Sequence, residues 1–222
     1  MSTAVLLSGG LDSAVLLADE ATRGEVHPIY VSAGLAWETA EREGVNRLLR
    51  ALGSAVRQPL VSLSVDMSDV YQATHWAIQG RPPAYHTPDE DVYLPGRNII
   101  LLAKTAVYCA AAGLNRIAIG SLAHNPFPDA TPEFRSALAN ALSIGLAHRL
   151  VIDAPFAELD KADVVSRGLA LGVPLELTLS CMNPDGLRHC GRCSKCRERH
   201  DAFVQARVVD PTEYVDLGNV RT

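Results

Sequence analysis

Six consecutive residues near the start of this 222-residue chain, Ser8-Gly9-Gly10-Leu11-Asp12-Ser13, have the makings of an anion site. Two glycines let the backbone approach a ligand with no Cβ in the way. Successive N–H groups and a helix N-terminus then form a donor-rich, positive cradle suited to phosphate. The hydroxyls of Ser8 and Ser13 add donors. Asp12 is repelled by phosphate unless a metal or the substrate's own donors answer its charge, so it reads as a Mg2+-side or orientation residue. A plain strand–helix turn with a serine cap would not require the whole string. The string matches neither GxxxxGK[ST] nor GxGxxG, which disfavours a Walker-type NTPase and a dinucleotide enzyme.

The second group is Cys181, Cys190, Cys193 and Cys196, separated by eight, two and two residues. Tetrahedral zinc takes four such ligands, and a Cys-x2-Cys turn presents two thiolates to one ion. Cys193 belongs to both overlapping turns, so the four thiols must converge. An iron–sulfur cluster and free or redox-active cysteines are the competing readings. His189 adjoins Cys190, but four cysteines already complete a shell. Arg188, Arg192, Lys195, Arg197 and Arg199 would offset the charge of a four-thiolate centre. Cys109 stands alone in an apolar helical stretch and reads as packing.

The elements that must position these groups alternate. Strands are expected at Thr3–Leu7, Val26–Val31, Leu60–Val65, Arg116–Ile119 and Leu150–Ile152. Helical periodicity covers Asp12–Thr22, Glu38–Leu52, Asn98–Ala112, Thr131–Ala147 and Asp160–Leu171, with stops at Gly53 and Gly172. Such alternation implies right-handed crossovers and a parallel sheet covered on both faces. The proline-rich segment 79–95 reads as a loop over the sheet edge, and 178–199 as a small metal-binding lobe. With no repeat and no linker, residues 1–222 read as one domain carrying that lobe.

Composition narrows the class. Hydrophobic residues make up 48% and charged residues 20%, as in an ordinary globular protein. The net charge of -5 disfavours stable nucleic-acid binding, which usually shows a basic field. The first apolar run is strand-length and ends in glycines, so no leader is expected. The longest one, Ile99–Gly113, is too short for a bilayer and contains Lys104. Five cysteines in such a chain suggest reduced thiols and a cytoplasmic setting.

The phosphate string resembles the SGGxDS signature of PP-loop ATP pyrophosphatases. With the cysteines, the chain as a whole is similar to the 7-cyano-7-deazaguanine synthase family of queuosine biosynthesis. The likeness rests on Ser8 to Ser13, Pro95-Gly96-Arg97-Asn98, Pro128-Asp129, Pro132-Glu133-Phe134, Asp160-Lys161-Ala162-Asp163, Gly172-Val173-Pro174, and Ser180-Cys181 with the closing cysteines. It implies an adenine-nucleotide α-hydrolase-like sheet, usually homodimeric. It also implies an ATP-dependent ligase that turns 7-carboxy-7-deazaguanine and ammonia into the nitrile, with Mg2+ and one structural Zn2+ per chain.

Residue roles follow as expectations. ATP would contact Leu7 to Ser13, Ser32, Gly120 and Lys161. Asp12, Lys161 and Arg97 would be catalytic; the bland alternatives are a solvated helix lysine and a surface salt bridge. Arg97 follows a Pro-Gly break, so a fixed guanidinium could grip phosphate or carboxylate. Asn98 either caps a helix or serves the site. The substrate would meet Arg97, His124, Phe127, Asp129 and Glu133, with Trp37 as a further flat surface. Relatives typically carry Asp-Tyr-Gly-Gln after the second strand, where this chain has Ser32-Ala33-Gly34-Leu35. They carry Asp-Tyr-Ser-Gly after the fourth, where it has Ala123-His124-Asn125-Pro126-Phe127. A related enzyme that adenylates a different carboxylate, or passes a deazaguanine to another acceptor, is therefore the alternative. A tRNA sulfur transferase would need a free catalytic cysteine, and only Cys109 is spare. A non-catalytic nucleotide-sensing module would release no pyrophosphate.

Overall fold

Thr3–Leu6 (β1) is buried at every residue, as expected of a strand covered on both faces in a parallel sheet. The computed structural model describes residues 2–220. In it β1 lies between Val26–Ser32 (β2) and Arg116–Ala118 (β4), with Val61–Ser64 (β3) and Val151–Asp153 (β5) at the edges. All pairings are parallel, in the order β3-β2-β1-β4-β5. The chain winds outward from β1 through β2 and β3, then returns to wind the other way through β4 and β5. The reversal falls between β1 and β4, and a crevice opens there beyond the carboxyl ends of the strands.

The helices are Leu11–Ala21 (α1), Glu38–Leu52 (α2), Trp76–Gln79 (α3), Arg97–Ala112 (α4), Pro132–Gly145 (α5), Lys161–Ala170 (α6) and Ser194–Ala206 (α7). The two-residue alternation of the strands sorts their side chains into two cores. Val5 and Tyr30 pack with Leu17, Val45, Leu48, Val165 and Phe203, from α1, α2, α6 and α7. Ala4, Leu6 and Ile29 face the opposite way, onto Leu102, Ala106 and Ala139 of α4 and α5. The doubly wound parallel sheet anticipated above is therefore present. No helix among the described residues is long and apolar enough to cross a membrane.

Two parts of the sequence reading change. Segment 79–95 contains a short 3-10 turn at Asp89–Val92, and it lies on the cysteine segment. Ala84 bridges Cys193, Ser194 N donates to Pro83 O at 3.1 Å, and Arg197 Nη1 donates to Tyr85 O and Thr87 O at 3.1 and 2.6 Å. The cysteine segment also does not end at Arg199. It runs into α7, which continues to Ala206 and buries Ala202 and Phe203. Its charged sequence hid this helix, because the face it buries holds a cysteine and an arginine as well as apolar residues.

Candidate functional site

The string after β1 forms the loop its glycines suggest. Gly9 has φ +80°, and a Cβ there would lie 2.9 Å from Val45 Cγ2. Only glycine meets both demands. Gly10 is the N-cap of α1 and makes no side-chain cap, leaving the first helical N–H groups open to a ligand. Ser13 Oγ donates to Gly10 O at 3.0 Å and lies 3.3 Å from Ser8 Oγ. Gly120, just beyond β4, lets that strand's end come close: a Cβ would sit 3.4 Å from the backbone at Asp12 and Ser13. Gly9→Ala should cost about 2–4 kcal/mol through the left-handed backbone and the contact with Val45. Urea unfolding of the variant measures this, and an unchanged midpoint would contradict the geometry.

Above the loop sits a cluster of alternating charges. Lys161 is the first residue of α6, fixed there by Asp160 N donating to Asp163 Oδ2 at 3.0 Å. Its Nζ lies 3.0 Å from Asp12 Oδ2 and also pairs with Glu198 Oε1. Glu198 in turn holds Lys195. Burial opposes the charge on Lys161, but the carboxylates of Asp12 and Glu198 outweigh it and hold the pKa above the ordinary lysine value. The other Asp12 oxygen, Oδ1, is buried without a hydrogen-bond partner among the described residues.

These groups open into a cavity of ≈ 280 Å³. Leu7, Ser8, Gly10 to Ser13, Gly120 and Lys161 line it, as do Arg97 and Phe127. Gly9 and Ser32, expected to contact ATP, are not among its lining residues: Ser32 Oγ donates to Glu38, which also takes the Ala33 and Gly34 N–H groups at 2.7 and 3.2 Å. Arg97 opens α4 after Gly96, and its Nε is buried without a partner among the described residues. Asp129 supports this corner from outside the cavity. Its Oδ2 accepts from Asn98 N at 3.0 Å, and Asn98 Nδ2 donates to Asp129 O and Oδ1 at 3.2 Å. Phe127 stacks on Tyr93 at 5.1 Å.

Besides Asp129, two more expected substrate residues do not reach the cavity. His124 is 88% exposed and turns toward Asp160, 3.7 Å away, and Glu133 is exposed on the first turn of α5. Among the lining or supporting residues that escaped the sequence reading are Glu41, Trp76 and Glu198. A signal existed for Glu41, because Glu38 and Glu41 continue the buried stripe of Val45 and Leu48 at helical spacing. Carboxylates on an apolar stripe ask for a reason.

The four cysteines are buried and converge, with all sulfurs within 4.8 Å of one another. Cys181–Cys193, Cys190–Cys196 and Cys193–Cys196 lie 4.0, 3.8 and 3.5 Å apart. Four sulfurs at about 2.3 Å from one zinc would be roughly 3.8 Å apart, so the set fits a tetrahedral ion. A disulfide needs about 2.05 Å and is excluded for these three pairs. Amides of Asn183 and Cys190 point at Cys181 Sγ from 3.3 and 3.2 Å, as thiolates require. His189 is used elsewhere. Its Nε2 accepts from Ser180 N at 3.1 Å, and burial, aided by Arg199, lowers its pKa to about 3 and keeps it neutral. Burial pushes the Cys109 thiol up to about 12, which fits inert packing.

A parallel sheet with a glycine-rich phosphate loop at its switch point, and a lysine–carboxylate cluster over that loop, defines the class of PP-loop ATP-using enzymes. Residues 2–207 match the model of "Queuosine biosynthesis protein QueC", and the chain belongs to that family. A protein named 7-cyano-7-deazaguanine synthase from Anaeromyxobacter dehalogenans is 35% identical over 95% of this chain and 94% of its own length. Proteins of the same name from Caldicellulosiruptor bescii and an Azoarcus species are 34% and 36% identical, over 96% and 95% of this chain and 97% and 95% of their own. Among solved structures, a predicted subunit of tRNA methyltransferase from Methanocaldococcus jannaschii aligns over 75% of this chain and 73% of its own, with TM-score 0.48 and 15% identity, too low to bear on function.

Proposed function

We propose that this chain is an ATP-dependent ligase that converts 7-carboxy-7-deazaguanine and ammonia into 7-cyano-7-deazaguanine. One observation carries the reading: a phosphate loop and the unpaired Arg97 Nε open into the same cavity, so a triphosphate and a carboxylate can meet there. Near-full-length relatives named for that product support it.

The chemistry needs activation because a carboxylate is a poor electrophile. Its oxygen attacks the α-phosphorus of ATP; the P–O bond to pyrophosphate breaks and an acyl adenylate forms. Ammonia adds to the carbonyl carbon, loses a proton and expels AMP to leave the amide. A second adenylation on the amide oxygen, with loss of another AMP and two protons, gives the nitrile. The protein's part is positioning and charge neutralisation. The loop amides and Lys161 hold the phosphates, and Arg97 holds the carboxylate. Asp12, whose Oδ1 lacks a partner, would face Mg2+ bound to the phosphates. The four cysteines would hold one Zn2+ in a closed, structural shell. We further propose a cytoplasmic homodimer acting on small molecules, built as one domain with the cysteine lobe.

The test is ATP–pyrophosphate exchange with product analysis. Exchange should depend on 7-carboxy-7-deazaguanine, and AMP and pyrophosphate should accumulate with ammonia present. ADP and phosphate as the only products would sink the proposal. Exchange driven only by another heterocyclic acid would redirect it to a related carboxylate, a reading favoured by the altered strings at 32–35 and 123–127.

A further inference from the structure

Glu41 is a buried carboxylate that the adenylation chemistry above leaves unused. It belongs to α2, is 8% exposed, and lines the same cavity as the phosphate loop. Its direct hydrogen-bond partners are both neutral: Trp37 Nε1 donates to Oε1 and Tyr30 OH to Oε2, each at 3.1 Å. Glu38, one turn earlier, is fully engaged by Ser32, Ala33 and Gly34, so the two acids have different tasks. A carboxylate offers about four lone-pair sites on its two oxygens. Among the described residues, each oxygen has one site taken and one to spare. Two parallel N–H donors on a planar ligand would satisfy both, in the bidentate manner carboxylates favour.

The surroundings suit a flat ring. Trp37 and Trp76 stack at 5.8 Å with 9° between their planes, and both line the cavity, as does Phe127. Arg97, with its unpartnered Nε, faces the same space and supplies a donor for a carboxylate on such a ring.

We propose that Glu41 determines specificity by accepting the paired N–H and NH2 donors of a guanine-type edge on the acceptor heterocycle, while Arg97 holds that ligand's carboxylate. The inference rests on the proposed reaction and deepens it. Adenine presents a different edge, an NH2 beside a ring nitrogen whose lone pair would face the carboxylate. Glu41 thus keeps the base of ATP out of the acceptor's place.

Burial raises the Glu41 pKa to about 7; Glu38 adds to the rise, and Arg97, Tyr30 and Trp37 oppose it. The charged and titratable groups facing it are therefore Tyr30 from β2, Glu38 from α2 and Arg97 from α4. Only the ionised form accepts both donors. Capture of the heterocycle should therefore rise with pH through about 7 and level off above it.

Trp37 and Trp76 are the only tryptophans in the chain, so their fluorescence reports cavity binding without turnover. The probes are 7-cyano-7-deazaguanine and adenine, titrated into wild type and Glu41→Gln, with KM for ATP measured alongside. In Glu41→Gln the nitrile's Kd should rise roughly tenfold to a hundredfold, and the pH dependence of its capture should flatten. KM for ATP should stay within about twofold. Tyr30→Phe removes a hydrogen bond that favours the ionised form, so it should move the pH midpoint upward; it serves as the second variant if Glu41→Gln does not fold. Unchanged nitrile affinity in Glu41→Gln, an unmoved midpoint in Tyr30→Phe, or a raised KM for ATP overturns the inference. If wild type binds the nitrile through Glu41 yet makes none, the reaction fails and the inference stands. If Glu41→Gln makes the nitrile with wild-type efficiency, the inference fails and the reaction stands. If wild type binds no guanine-type ring, both fall.

Discussion

Lys161→Met should lower kcat/KM for ATP by about a hundredfold to a thousandfold, the cost of removing one preorganised contact to a phosphoryl group, roughly 3–4 kcal/mol. Three observations set that size. Lys161 opens α6 directly over the loop, it lies 3.0 Å from Asp12, and it is nearly buried, at 15% side-chain exposure. Water therefore screens its charge poorly. The raised pKa keeps it cationic across the working pH range, so the rate should not titrate with this group. Methionine keeps most of the side-chain volume, and a thermal melt close to wild type would show that the loss is functional. Single-turnover pyrophosphate release is the direct measure. A loss of less than about tenfold would mean that the loop amides neutralise the phosphates without the lysine.

Cys193→Ser should have the largest effect on the protein itself. Structural zinc sites contribute on the order of 10 kcal/mol to folding, which exceeds the whole stability of many domains. Cys193 is the N-cap of α7, it sits 4.0 and 3.5 Å from two partner sulfurs, and its segment pairs with Ala84. Serine would give up a soft ligand in all of these places at once. The variant should be insoluble or metal-free, while wild type carries about one zinc per chain by elemental analysis. Iron in place of zinc, with a visible charge-transfer band, would overturn the assignment. Soluble Cys193→Ser protein with a full complement of metal would show that three thiols suffice.

The parts legible in the sequence were those set by local chemistry. The order of strands and helices follows from periodicity, and the phosphate loop from a compact string after a strand. The convergence of the cysteines follows from spacing alone. Residues whose role depends on a distant partner were harder. Asp129 lies next to a proline in a string suggestive of substrate contact, yet its oxygens receive Asn98, 31 residues earlier. Glu198 sits among the lysine and arginines beside the last cysteine, and only the packing of α7 brings it to Lys161. His124 sits just past a strand end, but it has a positive φ of 58°, is 88% exposed and does not line the cavity. Such misreadings share a cause. Spacing along the chain tells which face of an element a residue occupies, but not which other element arrives there.

The pairing of the phosphate loop with the far end of the chain also bears on how the protein is made. The sheet has all its strands once Asp153 is in place. The loop's own carbonyl at Gly9 waits for the amide of Leu179, and Lys161, which holds Asp12, waits for Glu198 on α7. A ribosome releases the N-terminal part first. A growing chain of about 160 residues can therefore hold every strand of the sheet while the loop still lacks Lys161, Leu179 and Glu198. Residues 161–198 complete these contacts, so the loop gains its supports only after the last strand of the sheet has been made.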